Sequence, residues 1–127
     1  MIKVIIADDS PRPRDFLYRV LTRAGFEVIA QCNDGGEAVS ACGRLKPDVV
    51  VLDVLMKKKN GSEAALEIRK LYPNIKVILA SSAAQGAISR PLIAAGCTFV
   101  AKPYNDGAFL IRLKEVLADG GTPTSRT

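Results

Sequence analysis

The chain has 127 residues, 48% hydrophobic and 24% charged, enough for one domain with its own core and too ordered in composition to be a disordered segment. Its net charge of +5 comes with no Trp and no interleaved basic and aromatic cluster, which excludes a recognisable nucleic-acid stacking surface; the absence of His removes the commonest general base and metal ligand. No apolar run approaches the roughly 20 residues that span a bilayer, and MIKVIIADDS turns acidic too early for a signal peptide.

In chain order, five short apolar runs predict strands at Ile2–Ala7, Glu27–Gln31, Asp48–Asp53, Lys76–Ala80 and Thr98–Ala101. Three are nearly continuous Val, Ile and Leu, the pattern of strands covered on both faces. Segments of helical length lie between them. Ser10 followed by Pro11 predicts an N-cap and first helical residue, with Phe16, Val20 and Leu21 as the apolar stripe and Gly25 as the stop. Asp34-Gly35-Gly36 opens a second helix reaching about Leu45, and Asn60-Gly61-Ser62 opens a third with Ala65, Ile68 and Leu71 on one face. A fourth is expected from about Gln85 to Ala95, and a fifth from about Asp106 to Ala118. From Asp119 the periodicity is lost, so the domain is expected to occupy 1–118, with 119–127 a flexible tail or the start of a linker. Cys32, Cys42 and Cys97 form no Cys-x-x-Cys pair and read as small buried residues of a reducing compartment.

Five alternations of strand and helix predict an α/β, doubly wound parallel sheet. In such sheets the chemistry collects beyond the carboxyl ends of the strands. That edge receives Asp8 and Asp9 from the first strand, Asp53 from the third, Ser81 and Ser82 from the fourth and Lys102 from the fifth. Like charges a few ångströms apart repel by about 4 kcal/mol per pair at a surface-like dielectric, so three carboxylates call for a cation. Oxygen ligands point to a hard one, Mg²⁺. With an ammonium and a hydroxyl opposite, the set suits phosphoryl transfer to a carboxylate, with Asp53 as nucleophile. Taken singly, each residue has a structural explanation: Asp8 and Asp9 as helix caps, Asp53 as a turn residue, Ser81 and Ser82 as caps, Lys102 as a solvated charge. Their arrival at one end of successive strands argues against that reading.

The ordered set Ala7-Asp8-Asp9-Ser10, Pro47 to Asp53, Asn60-Gly61, Ser81, Ala94-Ala95-Gly96 and Lys102-Pro103 resembles the receiver domains of bacterial two-component response regulators, from Ile2 to about Leu117. The resemblance implies a flavodoxin-like sheet of order 2-1-3-4-5 and a cytoplasmic switch phosphorylated by a histidine kinase or phosphotransfer protein. It implies Asp53 as the phosphoryl acceptor, Asp9 as a direct Mg²⁺ ligand, Asp8 as a ligand through water, and the backbone carbonyl of Leu55 completing the set. Lys102 is then the partner of the phosphoryl group, Ser81 the switch hydroxyl and Phe99 the switch aromatic. The output is a change of the face made by the fourth helix, fifth strand and fifth helix, read by a downstream protein, a C-terminal output domain or a phosphorylation-dependent dimer. No direct nucleic-acid binding, membrane contact or catalysis beyond its own phosphorylation and dephosphorylation is implied.

Two other classes compete: a degenerate receiver serving as a docking module, and a small Mg²⁺-dependent phosphohydrolase. The hydrolase reading wants a second Asp two residues after the nucleophile, where this chain has Leu55. One departure from the family pattern stands out. The loop after Asp53 reads Leu55-Met56-Lys57-Lys58-Lys59 without the usual proline, which is expected to free the loop. Its three lysines either lie solvated, draw an acidic partner or phosphodonor, or compete with the metal for the carboxylates.

Overall fold

A computed structural model of the chain describes residues 1–56, 58–82, 90–102 and 105–118. The elements run β1 (Lys3–Ala7), α1 (Pro11–Arg23), β2 (Glu27–Cys32), α2 (Gly35–Leu45), β3 (Val49–Asp53), α3 (Gly61–Leu71), β4 (Lys76–Ser82), α4 (Arg90–Ala94), β5 (Thr98–Lys102) and α5 (Asp106–Ala118). The five strands are parallel, in the order β2-β1-β3-β4-β5. The expected fold class and sheet order are both present.

Successive side chains of a strand point to opposite faces, and the Val/Ile/Leu runs therefore feed two cores at once. Val4, Ile6, Val49, Val51 and Ile78 pack on one face with Leu17 and Leu21 of α1 and Phe109 and Leu113 of α5. Ile5, Ala7, Val50, Leu52, Val77 and Leu79 pack on the other with α2, α3 and Leu92 of α4. The small residues Ala38, Ala41, Ala64 and Ala65, all fully or nearly fully buried, let α2 and α3 lie close to that second face. All three cysteines are buried free thiols, and burial raises their pKa values to about 11 for Cys32, about 12 for Cys42 and about 11 for Cys97. They are inert core residues, as their spacing suggests.

Several boundaries differ from expectation for identifiable reasons. β4 and β5 run on through Ser82 and Lys102, because Ser81 aligns with Ala101 and Ser82 with Lys102, and ladder pairing tolerates polar residues at strand ends. Ser10 is the N-cap of α1 by backbone geometry, but its side chain makes no cap hydrogen bond. Its N–H instead donates to Asp8 Oδ1 at 2.9 Å. α4 is described only over Arg90–Ala94, so the expected start at Gln85 lies outside the described residues, as do Lys57, Ala83, Pro103, Tyr104 and the tail from Asp119.

The loop after β3 is anchored at both ends despite its missing proline, and Lys57 at its middle lies outside the described residues. Val54 N–H donates to Ala80 O at 3.0 Å, Gly61 N–H to Val54 O at 2.9 Å, and Gly35 N–H to Lys59 O at 2.9 Å. Asn60 and Glu63 form a reciprocal capping box that starts α3 immediately beside β3. Gly61 is required there by close approach: a Cβ would drive into the carbonyl oxygen of Asp53. We therefore expect Gly61→Ala to destabilise the domain by about 2 kcal/mol, read as a lower urea midpoint at unchanged slope, because the colliding atoms are backbone and cannot rotate away. A midpoint equal to that of the unmodified protein would contradict this packing.

Candidate functional site

The order β2-β1-β3 means that the chain winds outward in opposite directions from the β1/β3 pair. The crevice at that switch point is where a doubly wound sheet offers its strand ends to a ligand. Ala7 of β1 is level with Leu52 of β3, and Asp53 with Ala80 of β4. Asp8, Asp9 and Asp53 therefore emerge side by side, and one carboxylate oxygen from each lies within 4.8 Å of the others. Asp8 is 3% exposed, whereas Asp9 and Asp53 are half-buried.

Lys102 supplies the compensating charge from the end of β5. Its Nζ donates to Asp53 Oδ1 at 2.8 Å and lies 3.5 Å from Asp8 Oδ2. Burial pushes the Asp53 carboxyl above the ordinary carboxylate range; the hydrogen bond and charge of Lys102 pull it down, and Asp8 and Asp9 push it up, with the net shift upward. For Lys102, burial acts to lower the pKa, but the hydrogen bond and charge of Asp53, together with Asp8, outweigh it and leave the ammonium more firmly protonated. One ammonium holds the cluster together without neutralising it. The remaining negative charge and the acceptor-only oxygen donors fit a hard divalent cation such as Mg²⁺.

Ser81 is 4% exposed near the end of β4, next in sequence to Ala80, the partner of Asp53. Phe99 is half-buried in β5 against the α2–α3–α4 core, paired with Leu79, and its carbonyl accepts from Arg112 Nε at 3.2 Å. The side chain of Leu55 is 62% exposed, immediately beyond Val54, whose N–H is bound to β4. Of the alternatives for the lysine run, competition for the carboxylates does not describe Lys59. Its ammonium pairs with Glu67 on α3, which raises its pKa chiefly through that hydrogen bond. Lys58 is exposed with φ of 60°.

Arg14 belongs to the site's surroundings and was not anticipated from the sequence. Its Nη1 donates to the backbone carbonyl of Asp8 at 2.6 Å and also to the side-chain oxygen of Asn33. The available signal was positional: a long helical side chain leans toward the N-terminus, so a residue at the first turn of α1 reaches back over the Asp8–Ser10 loop.

The raised pKa of Asp53 carries a stability consequence. A carboxyl favoured in its protonated form on folding costs stability above both its folded and unfolded pKa values, and that cost disappears as pH falls below them. In EDTA at pH 7.5, Asp53→Asn is expected to raise the melting temperature by about 2–4 °C, corresponding to roughly 1 kcal/mol. The advantage should shrink to nothing as pH falls below about 4. A lower melting temperature for the Asn variant at pH 7.5 would contradict a net cost of burying this carboxylate among its neighbours.

The sequence and the fold are similar to those of known proteins. The model of the response regulator receiver domain matches residues 4–114. The chemotaxis protein CheY of Thermotoga maritima is 37% identical over 115 residues, covering 90% of this chain and 96% of that protein. The transcriptional regulatory protein DegU of Brevibacillus brevis is 31% identical over 94% of this chain, which spans 51% of that relative. Among solved structures, the complex of CheX with CheY, BeF₃ and Mg²⁺ from Borrelia burgdorferi superposes with a TM-score of 0.86 at 29% identity, covering 91% of this chain and 89% of that one. A five-stranded sheet of order 2-1-3-4-5, an acid cluster at its switch point and a family match across nearly the whole fold lead to one conclusion: the chain belongs to the response regulator receiver domains, the CheY-like signalling modules of two-component systems.

Proposed function

We propose that this receiver is a phosphorylation-controlled switch in which Asp53 accepts a phosphoryl group from the phosphohistidine of a sensor kinase or phosphotransfer protein, in a Mg²⁺-dependent reaction. The observation that carries the reading is the 2.8 Å contact of the Lys102 ammonium with Asp53 inside a three-carboxylate cluster. A carboxylate oxygen of Asp53 attacks phosphorus in line, the bond from phosphorus to the donor's imidazole nitrogen breaks, and the imidazole leaves with its electron pair and takes a proton from solvent. The product is an aspartyl phosphate. Asp9, Asp53, the carbonyl of Leu55 and, through water, Asp8 would hold Mg²⁺, which when bound would offset charge on the phosphoryl oxygens. Lys102, already protonated and anchored, turns its charge from the carboxylate to the phosphoryl group. Catalysis by the chain is confined to its own phosphorylation and dephosphorylation.

Phosphorylation adds up to two negative charges and three strong acceptors beside β4. The hydroxyl of Ser81 moves to donate to one of them, and Phe99 turns into the space released, repacking the α4–β5–α5 face. Ile93 on α4 and Ile111 on α5 are 59% and 62% exposed, and they support that face as the surface read by a downstream protein, an output domain or a second phosphorylated copy. Among the described residues no helix is long and apolar enough to cross a membrane. We place the exchange in the cytoplasm.

Incubation with acetyl phosphate and Mg²⁺ followed by intact-mass measurement tests this reading. The expected result is a gain of one phosphoryl group by the unmodified protein and none by Asp53→Asn. No gain in the unmodified protein while Mg²⁺ is bound would overturn the reading in favour of a phosphorylation-independent docking module.

A further inference from the structure

Asp9 sits on the three-residue loop between β1 and α1, so its aim depends on how that loop is held. Asp8, its neighbour, is restrained at every polar atom. Its N–H donates to Cys32 O at 3.0 Å, its Oδ1 accepts from Ser10 N–H at 2.9 Å, and its Oδ2 faces Lys102 Nζ at 3.5 Å. The fourth restraint is the 2.6 Å hydrogen bond from Arg14 Nη1 to its carbonyl oxygen. That carbonyl and the Cα of Asp9 belong to one planar peptide, so fixing the carbonyl's direction fixes the direction in which Asp9 leaves the chain.

We propose that Arg14 is a positioning residue for the metal-binding loop, setting the orientation of the 8–9 peptide and thereby of the Asp9 carboxylate. This rests on the reading of Asp8, Asp9 and Asp53 as the Mg²⁺ site. The guanidinium is itself anchored, because the same Nη1 donates to the side-chain oxygen of Asn33. Asn33 N–H donates to Glu37 Oε1 at 2.8 Å, and Glu37 N–H donates to Asp34 Oδ1 at 2.9 Å. The orientation of the loop is thus referred to the N-terminus of α2, across the sheet edge. Arg14 is half-buried, unlike the exposed Arg12, Arg19 and Arg23 of the same helix. A cation near the start of α1 opposes the helix dipole, so helix stability does not account for its placement.

The sign of the metal-binding effect separates positioning from simple electrostatics. Removing a cation close to a cation site strengthens metal binding through Coulomb's law; removing a support that orients a ligand weakens it. Mn²⁺ binding to the full chain, followed by electron paramagnetic resonance without any phosphodonor, reads this directly, with the urea midpoint of each metal-free variant as a check on folding. Arg14→Met, which keeps the stem and loses the donor, is expected to bind Mn²⁺ roughly ten-fold more weakly. Arg14→Lys, whose single ammonium can serve both acceptors that Nη1 serves, is expected to recover most of the loss. Arg14→Gln provides the same comparison if the Met variant does not fold. Unchanged or tighter binding by the folded Met or Gln variant, or no recovery by Lys, overturns the assignment while leaving the proposed function intact. An unmodified protein that binds no Mn²⁺ overturns both.

Discussion

The ammonium of Lys102 lies against Asp53 and close to Asp8, and the architecture of the site follows from that arrangement. Three carboxylates with oxygens inside 4.8 Å repel one another by several kcal/mol at an intermediate dielectric, a cost comparable to much of a domain's stability. One half-buried cation relieves part of it. Burial first, and the charges of Asp8 and Asp9 after it, still leave the Asp53 carboxyl shifted upward. In the function proposed, a divalent cation relieves this repulsion and a phosphoryl group redistributes it, so that a small covalent change alters which contacts Lys102 and Ser81 prefer.

Rigid packing around the cluster is what sustains this tension. The strands that carry Asp8, Asp53 and Ser81 are covered on both faces, so their ends cannot relax apart without opening one of two cores. β5, at the sheet's edge, is the less constrained support. Of its five residues only Val100 is buried, and it carries both Lys102 and Phe99. The charged cluster at the switch point is thereby connected, through Lys102, to an edge strand of the sheet.

How much of this was legible in the sequence follows from the kind of signal each residue carries. Val49 to Leu52 reads as a doubly covered strand because nothing polar interrupts it, and its position places Asp53 at the sheet edge without further information. Asp8, Asp9, Ser81 and Lys102 were found by the same reasoning, since a parallel sheet brings successive strand ends together. Contacts made by long side chains across the fold were not legible. Lys59 could have faced the carboxylates or α3, and only the fold brings Glu67 within its reach. Arg14 was one of four arginines on its helix until the β2–α2 loop brought Asn33 beside it. Gly61 was read as a helix opener, but the approach of α3 to Asp53, which demands a residue without Cβ, is a tertiary fact. Ser10 was legible as the N-cap of α1 from the Pro11 that follows it, but the missing side-chain cap bond was not.

The central claim is that the carboxylate beside Lys102, and no other in the cluster, is the phosphoryl acceptor. Borohydride reduction of the phosphorylated protein converts an acyl phosphate to the corresponding alcohol, and peptide mass mapping then locates it. The account predicts homoserine at position 53 alone. Homoserine at position 8 or 9, or phosphate on Ser81 with Asp53 intact, would contradict it.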